Sequence, residues 1–526
     1  MKIRAWRGLA IMAVGLAVAA IPVAAQAPGG RGGRGAQAGG GGGGSFSFET
    51  GDTDPPPVIT HHSITVNGKE LAYTAQVGKI PVPDAAGNVE GHMFYVAYIL
   101  DNPDKTHPRP VTFSYNGGPG SDSVYVHMGG FGPRRVELND NGSLPPPPYK
   151  IVDNQETWLD STDLVFVDAM GTGYSRAVSR EALARAASVS GDLQFFSEFI
   201  RLWLYDNNRL NSPLILAGES YGTFRSAGLA GTLLEHHIPV SGVVLLSSVL
   251  NLSTLSPSLS DDRPYWLALP TLTAIAYEHK KLPAELQKQP IEQVVQEAKD
   301  WASTKYEHYL DLGDALQGPE RQTAVAEMAR FTGLRSAFLD NWNLRIGTSQ
   351  FATELLRDQK LTLGRYDGGQ IGTNRTPGAL NSDYDPSDLL STPYLHEFID
   401  YLKNELNYQT TLEYGDRAAG GAGNPGWNYE LGGRWSGTAD TSPLLASAFA
   451  RNPSMKLMLV EGFYDQATPM FEADYSMKHL FISPAEQKNI TIEHYLAGHM
   501  IYIRTQPRQK LHRDFDAFVH SLAGVQ

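Results

Sequence analysis

The sequence predicts an α/β fold with a mostly parallel central sheet, helices on both faces and a helix-rich insertion. The apolar runs DLVFVDAM (163–170) and PLILA (213–217) are typical of strands that are buried on both faces. Between these two runs, the apolar residues of segment 193–204 recur at helical spacing. Strands that alternate with helices along a chain are the pattern of an α/β sheet.

The elements before the first long helix are predicted to be strands. Residues 61–80 alternate in polarity around Asn67-Gly68, a dipeptide that favours a hairpin turn. HMFYVAYIL (92–100) and PVTFSY (110–115) have the composition of further strands. The helix that follows begins near Asp192, and its apolar stripe consists of Leu193, Phe196, Ile200, Trp203 and Leu204.

The alternation stops near Asn251 and resumes at KLMLVEGF (456–463) and ITIEHYLAG (490–498). The intervening sequence contains helical stretches and loops rich in Gly, Asn and Trp, but few convincing strands. We therefore expect one α/β domain, formed by residues 61–251 and 446–526, that is interrupted by a helical cap at 252–445. This organisation explains the pattern better than two tandem domains.

The first 25 residues have the features of a secretory signal peptide. Lys2, Arg4 and Arg7 precede an apolar segment over residues 9–20, and Val23-Ala24-Ala25 is typical of a cleavage site. The sequence thus predicts export, to the periplasm or the extracellular space. A retained signal anchor, with membrane association, is the alternative, although the apolar run is short for spanning a bilayer.

Residues 26–60 are predicted to form a disordered linker. Segment 28–44 is too glycine-rich to bury side chains, and TDPPPVIT (53–60) continues the linker. Folded structure is therefore expected to begin near His61.

Charge and cysteine content exclude several functions. Loss of residues 1–25, which carry three basic residues and no acid, would change the net charge from −13 to −16. This balance argues against nucleic acid as a partner, because its phosphates require clustered Lys and Arg. The chain has no cysteine, so it contains no disulfide, no catalytic thiol and no Cys-ligated metal.

The pentapeptide GESYG (218–222) lies between a predicted strand and a predicted helix. Strand, G-x-S-x-G and helix together form a nucleophile elbow, in which the flanking glycines permit a sharp turn that exposes Ser220. A serine in an ordinary strand-to-helix turn is the alternative. A nucleophilic serine also needs a histidine base and a carboxylate that orients the histidine.

Two late strands end in residues of the required types. In α/β hydrolases the chain order is serine, acid, histidine, with each partner in a loop after a late strand. Asp465 follows the first late strand, and His499 follows the second. Glu461 and His494 are alternatives, but both lie within the strands and are expected to serve packing.

Four segments together resemble the serine carboxypeptidase family, α/β-hydrolase peptidases that remove C-terminal residues. They are NGGPGS (116–121), DLVFVDAMGTGYS (163–175), GESYG (218–222), and GFYDQATP (462–469) with AGH (497–499). They occur in the order found in the family, and the insertion between them is not obviously matched. The resemblance implies an α/β-hydrolase fold with a cap, here in a bacterial-type member without disulfides.

The resemblance also implies a role for each matching position. Ser220 would be the nucleophile, Asp465 the orienting acid and His499 the general base. The backbone N–H groups of Gly118 and Tyr221 would form the oxyanion hole. The substrate's terminal carboxylate would be bound by Asn116, Gly117 and Glu219.

A carboxyl group beside a substrate carboxylate can donate a hydrogen bond only while it is protonated. The like charge of the substrate would raise the pKa of Glu219, so the resemblance predicts stronger peptide hydrolysis at acidic pH. The alternative is that Glu219 is a solvated turn residue.

The chain departs from the family's pattern at three places. Ser121 replaces a cysteine that is common in the family, and the segment VYVHMGGFGP (124–133) lacks the acidic residue that often supports the carboxylate site. Gly462-Phe463 stands where relatives commonly have Gly-Asp before the acid. These differences leave the predicted triad residues in place.

No metal, nucleotide or other cofactor is expected. DYDPSD (383–388) lacks the glycine and the final glutamate of a calcium loop, and metal-binding and phosphate-binding motifs are absent from the sequence. Trp427, Tyr429 and Trp435 are more typical of a packed lid than of a substrate pocket. The expected substrates are peptide or protein C-termini. The alternatives are an esterase or aminopeptidase on the same fold, or a non-catalytic binding protein.

Overall fold

The computed structural model describes residues 47–101, 108–415, 427–430 and 439–522. The predicted signal peptide, linker residues 26–46 and Trp435 lie outside these ranges. None of the helices in the described part of the chain combines the length and apolarity that crossing a bilayer requires.

The strands are numbered in chain order. They are β1 Val58–Val66, β2 Lys69–Pro83, β3 Val89–Leu100, β4 Val111–Tyr115, β5 Arg134–Val136, β6 Ile151–Asp153, β7 Asp163–Val167, β8 Arg176–Ala177, β9 Leu214–Glu219, β10 Gly242–Leu246, β11 Leu361–Leu363, β12 Ile371–Thr373, β13 Lys456–Gly462 and β14 Ile490–Tyr495.

The α-helices are numbered in the same way. They are α1 Val124–Val126, α2 Arg180–Ala186, α3 Val189–Asp206, α4 Tyr221–Glu235, α5 Arg263–Glu278, α6 Ala284–Gln287, α7 Ile291–Trp301, α8 Glu307–Asp311, α9 Gly318–Thr332, α10 Ser336–Asn341, α11 Thr348–Glu354, α12 Ser391–Asn404, α13 Ser442–Arg451, α14 Met470–Lys478, α15 Pro484–Gln487 and α16 Thr505–Ser521.

Shorter helical turns complete the described chain. The π-helical turns are His127–Phe131 and Ala302–Tyr306, and the 3₁₀ turns are Trp158–Asp160, Leu252–Thr254, Gly313–Ala315, Arg357–Gln359, Pro386–Leu390 and Ile501–Ile503.

The central sheet has the strand order β1-β2-β3-β7-β4-β9-β10-β13-β14, and β8 pairs with β3. Pairing is antiparallel from β1 to β7. From β7 onward, β7, β4, β9, β10, β13 and β14 run parallel to one another. Because the carboxyl ends of parallel strands meet at one edge, the loops after β4, β9, β13 and β14 lie on the same side of the sheet.

The hairpin at Asn67-Gly68 is present, and it begins earlier in the chain than the sequence suggests. Both turn residues have positive φ, 50° at Asn67 and 79° at Gly68, as a tight hairpin turn requires. β1 starts at Val58 rather than near His61, because Val58 pairs with Val77 at the edge of the sheet. Proline-rich sequence is compatible with the extended backbone that enters an edge strand.

Residues 47–57, predicted to be linker, also make specific contacts. Asp54 Oδ2 lies 2.8 Å from Nδ1 of the buried His92, and His92 Nε2 lies 2.9 Å from the Gly51 carbonyl oxygen. Glu49 pairs with Lys79 at 2.5 Å. These polar contacts attach this part of the predicted linker to the sheet.

The sheet is buried on both faces, as the apolar runs predict. In β7, Val165 belongs to the cluster that packs against α3 and α4. Its neighbours Leu164 and Phe166 belong to the cluster that includes α12 and α16. The whole predicted stripe of α3 is buried, from Leu193 to Leu204.

Segment 252–445 is mainly helical where the structure describes it, with β11 and β12 as a two-stranded ribbon. Helices α5, α7 and α9 share a third apolar cluster with Phe463 and Phe471, which flank the loop after β13. This packing connects the helical segment to the edge of the sheet at which the predicted site residues lie.

Candidate active site

Ser220 lies at the sharp turn between β9 and α4. Its backbone has φ 60° and ψ −130°, a strained conformation for a residue other than glycine. A Cβ at Gly218 would lie 2.0 Å from the Gly222 carbonyl oxygen, and a Cβ at Gly222 would lie 2.8 Å from that of Tyr115. Glycine is therefore required on both sides of Ser220, and Ser220 N donates to the Leu246 carbonyl at 3.0 Å.

Asp465 and His499 form a direct hydrogen bond. The distance from His499 Nδ1 to Asp465 Oδ2 is 2.7 Å, and both side chains are buried. Asp465 Oδ1 accepts from the backbone N–H groups of Ala467 and Thr468, at 2.8 Å and 3.0 Å. Because the carboxylate only accepts, the His499 proton lies on Nδ1, and Nε2 is the nitrogen that can take up a proton.

Parallel strands bring the serine and the histidine to the same edge of the sheet. Ser220 follows β9 and His499 follows β14, with β10 and β13 between these strands. Ser247, directly after β10, donates its N–H to the Val460 carbonyl at 2.8 Å. Its hydroxyl donates to the His499 carbonyl at 2.7 Å, so the histidine loop is tied to the centre of the sheet.

Two further residues position the Asp465–His499 pair, and neither is predicted from the sequence. The Thr468 hydroxyl lies 2.7 Å from Asp465 Oδ2 and 3.2 Å from His499 Nδ1. From the helical segment, the Tyr366 carbonyl accepts from His499 N at 2.5 Å. The Tyr366 and His499 ring centroids are 5.1 Å apart. Thr468 lies three residues after Asp465 in a motif already noted, whereas nothing in the sequence near Tyr366 indicates its position.

The environment of His499 favours its protonated form. Burial opposes a charged imidazole, but the negative charge and hydrogen bond of Asp465, with a further contribution from Glu219, outweigh it and raise the pKa of His499. Arg365 acts in the opposite direction.

Asn116 and Glu219 are in direct contact beside the elbow. Asn116 Nδ2 donates to Glu219 Oε1 at 2.8 Å, while Asn116 Oδ1 accepts from Val126 N at 3.1 Å, which fixes the orientation of the amide. Burial raises the pKa of Glu219 to about 7, although His499, Tyr502 and Asn116 favour the ionised form. The pKa of Glu219 is therefore raised by burial already without substrate, and not only by the charge of a substrate as the sequence predicts.

The glycines after β4 allow the backbone to approach the elbow closely. A Cβ at Gly117 would lie 2.4 Å from Tyr221 N, and Gly118 has φ +102°. Tyr221 is the first residue of α4, where the N–H groups of a helix have no intrahelical acceptor. Gly118 and Tyr221 therefore lie on adjoining segments of backbone.

A buried ion pair between α3 and α4 holds the NGGPGS segment beside the elbow. Arg225 is fully buried in α4 and forms a two-pronged contact with Asp192 of α3, at 2.8 Å and 3.0 Å. Its third contact, from Nη1 to the Asn116 carbonyl at 2.8 Å, ties the helix pair to the NGGPGS segment. The sequence gives only a weak signal for the pair, two charged residues on helix faces that are otherwise apolar.

The rival residues have other partners. Glu461 is buried within β13 and accepts from Ser248 N at 3.0 Å. His494 lies 3.5 Å from Asp474 and stacks on Phe463. Of the remaining aromatic residues, Trp427 packs edge-on against Tyr221 with the ring centroids 5.7 Å apart.

The DYDPSD segment has structural contacts. Asp383 pairs with Arg375, and Asp385 accepts from Ser387 N at 2.9 Å at the start of a 3₁₀ turn. Within the ranges that the structure describes, no group of three or more His, Asp or Glu residues is arranged to hold a metal ion.

Comparison with known proteins gives consistent results. A family model described as serine carboxypeptidase matches residues 76–266. The serine carboxypeptidase-like protein 51 of Arabidopsis thaliana is 32% identical over 152 residues, which make up 26% of this chain and 29% of that protein. A pheromone-processing carboxypeptidase of Candida tropicalis is 27% identical over 148 residues, 28% of this chain and 19% of that protein. The aligned parts span less than a third of the length of either relative.

The crystal structure of a prohormone-processing carboxypeptidase from Saccharomyces cerevisiae shares the fold. It has a TM-score of 0.51 and 15% identity, and the alignment covers 85% of this chain and 91% of that one. This likeness and the mostly parallel sheet confirm the predicted α/β-hydrolase fold. The family model covers Asn116 and Ser220. Within residues 76–266, the chain is similar to the serine carboxypeptidase family.

Proposed function

We propose that this protein is a serine-type carboxypeptidase that releases C-terminal amino acids from peptides. The observation that carries the proposal is the contact between Asn116 and Glu219 directly beside Ser220. A buried carboxyl with a pKa of about 7 is able to donate a hydrogen bond at acidic pH. An esterase needs no such group next to its nucleophile, so the contact favours recognition of a free terminal carboxylate.

In the proposed reaction, the Ser220 hydroxyl attacks the last peptide carbonyl carbon while His499 Nε2 accepts the hydroxyl proton. Asp465 holds the imidazole in the required tautomer and stabilises its positive charge. The tetrahedral intermediate then collapses, the C–N bond breaks, and His499 donates its proton to the leaving amino group. Water hydrolyses the acyl-enzyme by the same steps and restores Ser220.

The backbone N–H groups of Gly118 and Tyr221 are proposed to stabilise the oxyanion of each tetrahedral intermediate. Asn116, the Gly117 N–H and protonated Glu219 are proposed to bind the substrate's terminal carboxylate. Residues 252–445 would act as the cap over this site, consistent with the contact between Tyr366 and His499. The reaction uses only groups of this chain.

We also propose that the protein is exported, to the periplasm or the extracellular space, on the basis of the signal features in residues 1–25. Membrane association would follow only if that segment is retained. Peptide and protein C-termini are the proposed partners, and the negative net charge makes nucleic acid an unsuitable one.

The proposal is tested by incubating the protein with a peptide library and with the same peptides amidated at the C-terminus. We expect stepwise loss of C-terminal residues from the free acids, and kcat/KM lower by at least about 100-fold for the amides, because the amide leaves buried polar groups without a charged partner. Mass spectrometry reports which end is shortened. Equal cleavage of acids and amides would support an esterase-like enzyme, and N-terminal shortening would support an aminopeptidase.

Glu219→Gln is expected to abolish the weakening of substrate binding that occurs as the pH rises. In the wild type, the binding form has Glu219 protonated, so KM should be low below pH 7 and rise about tenfold per unit above it. In the variant, Asn116 Nδ2 would donate to the glutamine oxygen, and the glutamine NH₂ would remain a donor to substrate at every pH. KM for a blocked dipeptide should then stay nearly constant from pH 5 to pH 8.

The matched control is Glu472→Gln. Glu472 is also buried, and burial raises its pKa to about 8, but its carboxyl accepts from Thr254 and Ser476, away from Asn116. This control should keep the wild-type dependence of KM on pH. A wild-type KM that stays constant between pH 5 and pH 8 would contradict the proposed role of Glu219.

A further inference from the structure

A buried phenol lies beside Glu219. Tyr502 occupies the 3₁₀ turn three residues after His499, and its side chain is fully buried. It interacts with both Glu219 and Asn116. The contact falls short of a well-formed hydrogen bond, because neither Tyr502 Oη nor Glu219 Oε2 has a partner at full hydrogen-bond geometry.

A third polar atom in the same place has the same property. Tyr394 Oη, from α12, is buried without a hydrogen-bond partner and interacts electrostatically with Glu219 and Tyr502. Buried polar atoms are nearly always paired, so a convergent group of unpaired ones indicates a site that a ligand or water completes. Tyr502 Oη and Glu219 Oε2 are the two members that adjoin the Asn116 amide.

The backbone makes room for this phenol at two consecutive glycines. A Cβ at Gly129 would lie 2.2 Å from the Tyr502 ring, and one at Gly130 would lie 2.5 Å from Tyr502 Cβ. Both glycines belong to the π-helical turn His127–Phe131. This segment lacks the acidic residue that often supports the carboxylate site in the family. Because Gly129 and Gly130 have no side chains, Tyr502 occupies the space beside them.

We propose that Tyr502 is a specificity-determining residue whose hydroxyl donates to the substrate's terminal carboxylate and, without substrate, to Glu219. The inference rests on the proposed carboxypeptidase function. A phenol is neutral throughout the working pH range, so it supplies a donor without adding a second acid to the site. Atoms such as these often reach full hydrogen-bond geometry only when substrate is bound.

The pH consequence depends on every charged group around Glu219. His499 and Asp465 face it from the loops after β14 and β13, and Tyr394 faces it from α12. The positive charges of Arg508 and Arg135 lower the pKa of Tyr394, against the larger effect of burial. The hydroxyl of Tyr502 favours the ionised form of Glu219, so its removal raises the pKa of that carboxyl.

Tyr502→Phe therefore has two expected effects on hydrolysis of a blocked dipeptide with a free C-terminus. At pH 5.5, KM should rise about three- to tenfold with kcat within about twofold, because one donor to the carboxylate is lost. The pH at which kcat/KM falls on the alkaline side should increase by about 0.5 to 1 unit, because Glu219 stays protonated to higher pH. Hydrolysis of the matching C-terminal amide should not change.

A structural role would produce a different result. If Tyr502 only filled space, KM would rise equally for acid and amide and the alkaline limb would stay in place, and this outcome would overturn the proposal. Unchanged kinetics on the acid would also overturn it. Titration of Ser220 with a fluorophosphonate gives the concentration of folded enzyme, so partial misfolding of the variant does not obscure the comparison.

Tyr306→Phe is the matched control. Tyr306 is equally buried, but its hydroxyl donates to the Leu344 carbonyl at 2.6 Å within the helical segment. The control should keep the wild-type KM and alkaline limb. If the wild type itself does not prefer the free acid to the amide, the proposed function fails. If the wild type shows that preference and Tyr502→Phe leaves both KM and limb unchanged, only the present inference fails.

Discussion

Replacement of Ser220 by alanine is expected to lower kcat for peptide hydrolysis by about 10⁶-fold. The methyl group cannot form an acyl-enzyme, and His499 is left without a nucleophile to activate. The remaining activity would come from substrate binding and oxyanion stabilisation acting on water. Single-turnover release of the terminal amino acid, followed by mass spectrometry, measures the loss, and labelling by a fluorophosphonate should disappear as well.

The matched control is Ser197→Ala. The Ser197 hydroxyl lies 3.0 Å from that of Thr232 between α3 and α4, on the far side of the elbow helix from the site. This variant should keep the wild-type kcat and label normally. Retention of more than about 1% of activity by the Ser220 variant would exclude Ser220 as the nucleophile.

Asp465→Asn is expected to lower kcat by about 10⁴-fold, with little change in KM. The backbone N–H groups of Ala467 and Thr468 donate to Asp465 Oδ1, so the oxygen of an asparagine would occupy that position. Its NH₂ group would then face His499 Nδ1 and donate to it. The His499 proton would be forced onto Nε2, the nitrogen that must accept the proton of Ser220.

The same substitution changes the pH profile. Asp465 raises the pKa of His499 against the opposing effect of burial, so its loss lowers that pKa. The acid limb of kcat/KM should move to lower pH, because His499 becomes neutral, and able to act as a base, at lower pH. Asp383→Asn, which affects only an exposed pair with Arg375, should leave the rate and the limb unchanged. An acid limb that does not move would contradict the assignment of Asp465.

The parts of the fold that the sequence predicts are those with local causes. Asn67-Gly68 adopts positive φ with little strain, and the turn is where the sequence places it. The stripe of α3 is buried because residues at helical spacing share one face. Gly218 is required by its close contact with the carbonyl of Gly222 in the same turn. In each case the information lies within about ten residues of the feature.

The parts that the sequence does not reveal depend on distant contacts. Tyr366 reaches His499 from the helical segment, across more than 130 residues of chain, and its own neighbourhood contains no motif. No motif in the sequence around Tyr502 indicates its position, because only the fold buries its hydroxyl beside Glu219. β1 begins before the start that the sequence predicts, because proline-rich sequence is equally typical of linkers and of edge strands.

The mutual influence of Glu219 and His499 has a consequence for substrate selection. Each affects the pKa of the other, so one proton can reside on either group. The reactive arrangement, with a neutral imidazole and an uncharged carboxyl, has the same net charge as an inert zwitterion. At the proposed carboxylate site, an arriving terminal carboxylate would repel an ionised Glu219 and so favour the state in which Glu219 is protonated and the imidazole is neutral. A peptide with a free terminal carboxylate would thus favour the reactive protonation state of the enzyme, whereas an amidated peptide would not.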